Sequence, residues 1–364
     1  MTALPEMVPP SAPPLPPAVP LATAPALPTQ QPVVVEVVTD LHSTSTWSTR
    51  YERWAADRGL ATTARAEWLL AGADVDDHTA SWGVAAQRLD GELLGMLMLL
   101  DEPMNGQTMT TLAGSDQGHR AFVTLESPEV AERVAAVLGE ELRGRLELTR
   151  LLLGPLDAND AAVHALAAAL PGAHVMADAP IPVVRQDSGD VRDYLSHNMR
   201  RTLRKARNRL SADGRDVSVE YTRDAVEIAR LLPQIEECHR ARDHVHGRPS
   251  DLDDVRARLL WENRLRGLAE RGRLELAVLR IDGDFAAHAL GALDEPTYRV
   301  LEGRFVTHWS RYAPGRLLEA EVLQRVLDDP DMTTLDWMTA VAPEKLLATN
   351  GSDPMVLIHW VPGL

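Results

Sequence analysis

A single cysteine, Cys238, occurs in the 364 residues of this chain. That scarcity excludes an internal disulfide framework and a cysteine-rich zinc site. No apolar run approaches the roughly 18–20 residues that cross a bilayer. The longest, Leu93–Leu100, reads as a buried strand. Lysine is almost missing, with only Lys205 and Lys345 among 37 basic residues. So strong an arginine bias reflects genome composition more than a demand for bidentate anion binding at every site. The stretch Met1–Gln31 lacks the basic start and continuous apolar core of a signal peptide, being broken by proline throughout. These absences leave a cytoplasmic enzyme or binding protein as the expectation.

What is present is the composition of a soluble globular protein, 45% hydrophobic and 25% charged, long enough for two ordinary domains. The net charge of −16 repels nucleic acid and anionic membranes. Arg200–Arg209 departs from it, with six basic residues and no acid. It is either the solvated face of a linking helix or a wall that attracts an anionic ligand. Without interleaved aromatics it does not read as a stacking platform for single-stranded nucleic acid.

Residues 1–32 form a proline- and alanine-rich tail, expected to be disordered or polyproline-II-like. A strand follows at Val33–Thr39, then helices at Ser45–Arg58 and Thr63–Gly72. Trp82–Leu89 and Glu92–Leu100 make a hairpin around Asp90-Gly91. Ala121–Leu125 reads as a strand and Ser127–Arg143 as a helix, with a capping serine and a proline in its first turn. A strand at Leu146–Leu153, a helix ending at Leu170 and a strand around His174–Val184 complete the first half. The second half repeats this grammar without repeating the sequence. Helices at Val191–Ser211, Thr222–Val245 and Leu252–Arg271 precede a meander of Leu274–Ile281, Phe285–Leu293 and Tyr298–Val306. A helix after Pro314 and strands at Thr333–Met338 and Met355–Val361 close the chain.

Between the meander and that helix lies Arg311–Leu318. Leu318, Val322 and Val326 recur at helical spacing. Pro314 suits the first helical turn, where its missing N–H costs nothing, and Gly315 lets a ligand approach the backbone. A strand entering a helix N-terminus presents free amides to an anion, so the segment is either a phosphate loop or a plain turn.

Strand, hairpin, strand, phosphate-capable loop, helix, strand is the order that resembles the core of the Gcn5-related N-acetyltransferase (GNAT) superfamily. Two such units joined by a basic helix resemble its FemAB-like branch, and residues from about 190 to 350 resemble the BioF2-like acetyltransferase domain of bacterial proteins. The resemblance is carried by the entry helix Ser196–Ala206, His239 with Arg242, Gly247–Ser250, Ile281-Asp282-Gly283, Ala286-Ala287, Arg311–Leu318 and Asp336-Trp337-Met338. It implies an α/β (α+β) fold of tandem GNAT-like domains, each a mixed, mainly antiparallel sheet flanked by helices. A degenerate domain would span 33–188 and a BioF2-like domain 189–364. Two departures stand out. Pro314 and Arg316 occupy loop positions where the superfamily has small residues. The closing Gly-x-x-x-Tyr-Lys is replaced by Ala340–Lys345, which keeps only the lysine.

The implied activity moves an acyl group from acyl-coenzyme A, acetyl-coenzyme A above all, to a small-molecule or peptide amine, without a metal. Such transfer needs a cleft that aligns thioester and amine and a base for the amine's proton. The resemblance assigns the donor to Phe305, Val306, Arg311, Ala313, Gly315, Arg316 and Leu317, with Arg304 beside them. It assigns the acceptor to His239, Arg242, Ser250 and Lys345. For the base, Glu302 and His288 are the candidates; Tyr312 is a proton donor to the thiolate or a packing residue, and Asp336 an orienting group. A histidine within Phe285–Leu290 is equally readable as a core residue. His239 and Asp243, four apart on a helix, have a spacing able to hold a metal, but no motif supplies a third ligand. Two other functions stay open: an amide ligase using aminoacyl-tRNA, the one case in which nucleic acid would be a partner, and a non-catalytic binding protein. In the latter, side chains should fill the cleft beside Phe305 and Gly315.

Overall fold

The structure, a computed structural model, describes residues 32–39, 41–42, 45–72, 80–104, 107–115, 124–125, 128–145, 149–338 and 346–361. The proline-rich stretch through residue 31 and the run 339–345, which contains Lys345, lie outside the described residues. The first half runs Val33–Thr39 (β1), Thr46–Asp57 (α1), Ala66–Leu69 (α2), Ala80–Arg88 (β2), Leu93–Met104 (β3) and Gln107–Leu112 (β4). It continues with Thr124–Leu125 (β5), Pro128–Arg145 (α3), Thr149–Asp157 (β6), Ala161–Ala168 (α4) and His174–Arg185 (β7). The second opens with Val191–Tyr194 (α5), His197–Ala212 (α6), Val217–Thr222 (β8), Ala225–Val245 (α7) and Val255–Glu270 (α8). Leu274–Ile281 (β9), Asp284–Asp294 (β10), Thr297–Phe305 (β11), Pro314–Asp328 (α9), Thr334–Asp336 (β12) and Gly351–Trp360 (β13) follow.

Side-chain caps decide several helix boundaries. Ser45, Ser196, Asp224 and Asp254 each accept a backbone N–H of the first turn of α1, α6, α7 and α8. The expected helix at Val191–Ser211 is therefore two helices, broken before the Ser196 cap. The expected helix at Thr63–Gly72 is also interrupted. Asp294 of β10 binds both the amide (2.8 Å) and the hydroxyl (2.5 Å) of Thr62, holding Thr62–Ala64 as a separate turn. The sequence expectation contains no strand before Thr222, yet Val217–Thr222 forms β8, whose alternating Val217, Val219 and Tyr221 lie at the sheet edge beside β9.

All thirteen strands belong to one sheet, in the order β1-β2-β3-β4-β6-β13-β7-β12-β11-β10-β9-β8, with β5 pairing β3. The halves mirror each other: β4 and β6 are parallel, as are β11 and β12, and the other neighbours are antiparallel. The seam is an exchange. β7 of the first half pairs with β12 of the second, and β13 of the second lies between β6 and β7. Helix α9 packs Leu317, Leu318, Val322, Leu323 and Val326 into the core under the second half. On the other side, Ile228, Leu231, Ile235, Leu265 and Leu268 of α7 and α8 cover Leu276, Val278, Leu290 and Leu301.

One irregularity positions the site. β11 pairs with β12 only from Thr297 to Arg299, but stays with β10 as far as Phe305. β12 ends at Asp336, opposite Arg299, and among the described residues no strand pairs with that edge of β11 beyond it.

Candidate active site

Beside the edge of β11 that lies past the end of β12 is a cleft of about 1150 Å³ bounded by β11, α7, the loop after α7 and the start of α9. The ladder between β10 and β11 slips at Leu290/Gly291, so Leu301 is an extra residue on β11. This bulge shifts the alternation so that Leu301 packs beneath α7 and α8, and Glu302 and Arg304 line the cleft.

Glu302 is the hub. Its Oε1 lies 2.9 Å from Nδ1 of His239 and 3.3 Å from Nε2 of His288, and its Oε2 accepts the Trp261 indole N–H at 3.1 Å. Burial alone would raise the Glu302 pKa; hydrogen bonds and charge from His239 and His288 outweigh it and hold the carboxyl well below its ordinary range. His239 also faces Asp243, its Nε2 3.2 Å from Oδ2. Asp243 in turn takes Nε (2.9 Å) and Nη2 (2.5 Å) of Arg248. Burial works against the Asp243 carboxylate, but Arg248 and its other neighbours keep its pKa lowered. His288 is 1% exposed. With Nε2 directed at a carboxylate, its Nδ1 is buried without a protein partner. An imidazole held in this tautomer presents a lone pair at Nδ1.

At the far end, Ala313 adopts a left-handed conformation (φ 49°, ψ 49°) and Pro314 takes the first helical position. The Leu317 amide bonds to the Ala313 carbonyl at 3.1 Å. The amides of Gly315 and Arg316 precede that first helical bond and stay available to an outside acceptor. A Cβ on Gly315 would meet Phe305 Cδ1 at 3.1 Å, so the glycine keeps this approach open. Arg316 lines the cleft with its Nη1 2.7 Å from Glu319, and burial raises the Glu319 pKa against that pairing.

His239, Arg242, His288, Glu302, Arg304, Phe305, Ala313, Gly315 and Arg316 thus meet in one cleft. Others among the expected residues point elsewhere. The Tyr312 hydroxyl donates to Asp213 at 2.7 Å and its ring is buried, which takes it away from a thiolate. Arg311 pairs with the same carboxylate at 2.5 Å. Leu317 and Val306 pack into the core under α9, and Ser250 is buried behind the wall. Asp336 is engaged by Arg299 (2.6 Å) and the Met338 amide (2.7 Å), so it orients neither Glu302 nor His288. No sequence pattern marks Asp213, whose role in tying the loop to α6 arises only in the fold. Trp261 was legible as a helix residue, not as a donor to Glu302. Among the described residues no cluster of three or more His, Cys, Asp or Glu is suited to a metal ion.

Residues 197–346 match the profile of the acetyltransferase (GNAT) domain family. That stretch, less than half of the chain, is by its profile a GNAT acetyltransferase domain, which supports acyl transfer in general, and it includes every cleft residue named above. None of the curated proteins matches the chain significantly. Among solved structures, FemX is similar over 82% of this chain and 91% of its own, at 13% identity and a TM-score of 0.57. A conserved protein of unknown function from Bacteroides thetaiotaomicron VPI-5482 is similar over 83% and 90%, at 12% identity and a TM-score of 0.52. At such identities the likeness is one of fold. No helix among the described residues is long and apolar enough to cross a membrane.

Proposed function

We propose that the GNAT domain transfers an acyl group, acetyl in the first instance, from acyl-coenzyme A to an amine within the β11 cleft. The observation that carries this is the unpaired edge of β11, which leads from Glu302 to the free amides at the start of α9. That edge at Arg304 and Phe305 would receive the amide groups of the pantetheine arm. The Gly315 and Arg316 amides, with the Arg316 guanidinium, would receive the pyrophosphate. The cleft is open beside Phe305 and Gly315, which favours an enzyme over a non-catalytic binding protein.

In this reading Glu302 is the orienting carboxylate and His288 the base. Glu302 already accepts from three donors, which makes it a poor proton acceptor. In this reading the incoming amine opens the packing that buries Nδ1 of His288, which takes one proton of the ammonium and frees the nitrogen lone pair for attack on the thioester carbonyl. After attack the nitrogen releases its second proton to solvent, and the proton on His288 passes to the leaving sulfur, the task expected of Tyr312. Residues 33–188 act as the degenerate half and 189–364 as the catalytic one, with the cytoplasm as the compartment. Cys238 plays no part; burial pushes its thiol up to about 12.

Calorimetry of the full chain with acetyl-coenzyme A and longer acyl derivatives tests the donor. One site is expected, weakened at least tenfold by Gly315→Leu. Failure of every coenzyme A derivative to bind, with binding of charged tRNA instead, would replace this reading with the amide-ligase one.

A further inference from the structure

We infer that the acceptor carries an anionic group, a carboxylate or a phosphate, held by Arg242 and Arg304 beside its reacting amine. The inference rests on the acyl-transfer reading and adds the class of acceptor. It comes from a charge inventory of the cleft wall. Glu302 is held by hydrogen bonds to His239 and His288, Asp243 is paired with Arg248, and Glu319 with Arg316. Asp251 is exposed. Arg242 and Arg304 are left over: among the described residues neither reaches an acid. Arg304 has its Nη1 on its neighbour's carbonyl, Gly303, at 3.1 Å, and its Nε is buried with no acceptor. Arg242 stacks over the Phe305 ring with its guanidinium carbon 4.2 Å from the centroid. Two half-buried guanidiniums without counter-charge are costly to keep, and an arriving oxyanion supplies the missing bonds.

Their placement favours the acceptor over the donor. Arg304 lies two residues from Glu302 on β11, on the same side of the strand. Arg242 lies one turn from His239 on α7. Both therefore flank the groups around Glu302, whereas the donor phosphates are assigned to the start of α9. Phe305 stands between these positions, its Cδ1 toward Gly315 and its face under Arg242. The same two arginines, with Glu302, act electrostatically on the Cys238 thiol, which puts them in one neighbourhood.

Two measurements test this. In the first, inorganic phosphate and glutarate are titrated into the full chain saturated with coenzyme A, so that the donor's own phosphate site is filled. Binding is expected, weakened roughly 10- to 100-fold by Arg242→Gln and by Arg304→Gln, with affinity for coenzyme A unchanged in Arg242→Gln. In the second, β-alanine is compared with β-alaninamide, and phosphoethanolamine with ethanolamine, as acetyl acceptors. The member bearing the anionic group in one pair should show a kcat/KM about 100-fold higher, an advantage lost in both variants mainly through KM. Which pair responds separates a carboxylate from a phosphate. Equal use of amines with and without the anionic group, or a preference that survives in both variants, overturns the inference. If coenzyme A fails to bind, the donor reading falls by itself. Phosphate titrated into the chain alone then decides for or against the arginine pair.

Discussion

The two halves of the sheet share a topology and differ in what they leave between strand and helix. In the first, the end of β4 is stoppered. Trp68 donates its indole N–H to the Gly114 carbonyl at 3.0 Å, and a Cβ on Gly114 would lie 2.8 Å from Trp68 Cδ1. The space beneath α1 is filled by Tyr51, Trp54, Met96 and Met98. In the second, β11 outruns its parallel partner, and the space beneath α7 holds His239, His288 and Glu302 around a cleft. The cleft therefore goes with an uncovered strand edge and a titratable cluster together, not with the strand order. The closed half still has a task, since its β7 completes the sheet beside β12.

The sharpest way to break this contrast is to remove the base. His288→Gln should lower kcat/KM by roughly 10²–10⁴ with donor affinity unchanged. Met98→Leu, on the matching strand of the closed half, should leave kcat/KM alone. Steady-state kinetics with calorimetric donor affinities checks both, and near-wild-type turnover in His288→Gln would return the role of base to Glu302 or to the amine itself.

Glu302→Gln comes next and reads out as stability. The folded-state pKa of Glu302 is depressed, so its contribution is fully present above its ordinary pKa of 4.5 and is lost as pH falls through the folded value. The wild-type chain should lose stability on acidification below about 4.5. Glu302→Gln should be roughly 3 kcal/mol less stable at neutral pH, because His239, His288 and Trp261 lose a charged acceptor. Its stability should then fall less steeply with acid. Urea melts between neutral and acid pH measure both, and parallel curves for the two proteins would remove Glu302 as the hub.

How much of this could be read beforehand follows from the range of each signal. The meander, the Pro314-Gly315 turn and the amphipathic α9 are local patterns, and the fold realises them. His288 and Glu302 were legible as candidates because β10 and β11 are adjacent in sequence. The bulge at Leu301, the early end of β12 beside β11 and the exchange of β7 and β13 depend on pairings across the whole chain, which no local window contains. The same holds for Tyr312. Its motif suits a proton donor, but a single distant carboxylate, Asp213, turns it away. Arg304 appeared only as a neighbour of the donor positions, since the absence of a counter-ion is a property of the folded cleft.

The smallest effects come from a pair of glycine substitutions, one in each half, and their value lies in the crossing of the results. Gly315 has no positive φ and sits in the first turn of α9. Alanine there costs no backbone strain and gains up to about 1 kcal/mol of helix propensity. Its Cβ, however, falls 3.1 Å from Phe305 and crowds the approach to the loop amides. Gly315→Ala should thus keep or raise stability while weakening acyl-coenzyme A binding by about three- to tenfold. Gly114 has φ +81° and its added Cβ meets the Trp68 ring. Gly114→Ala should cost roughly 1–3 kcal/mol of stability with donor affinity unchanged. Denaturant melts and donor calorimetry on both variants make the comparison, and the division into a closed and an open half fails if both substitutions move the same quantity.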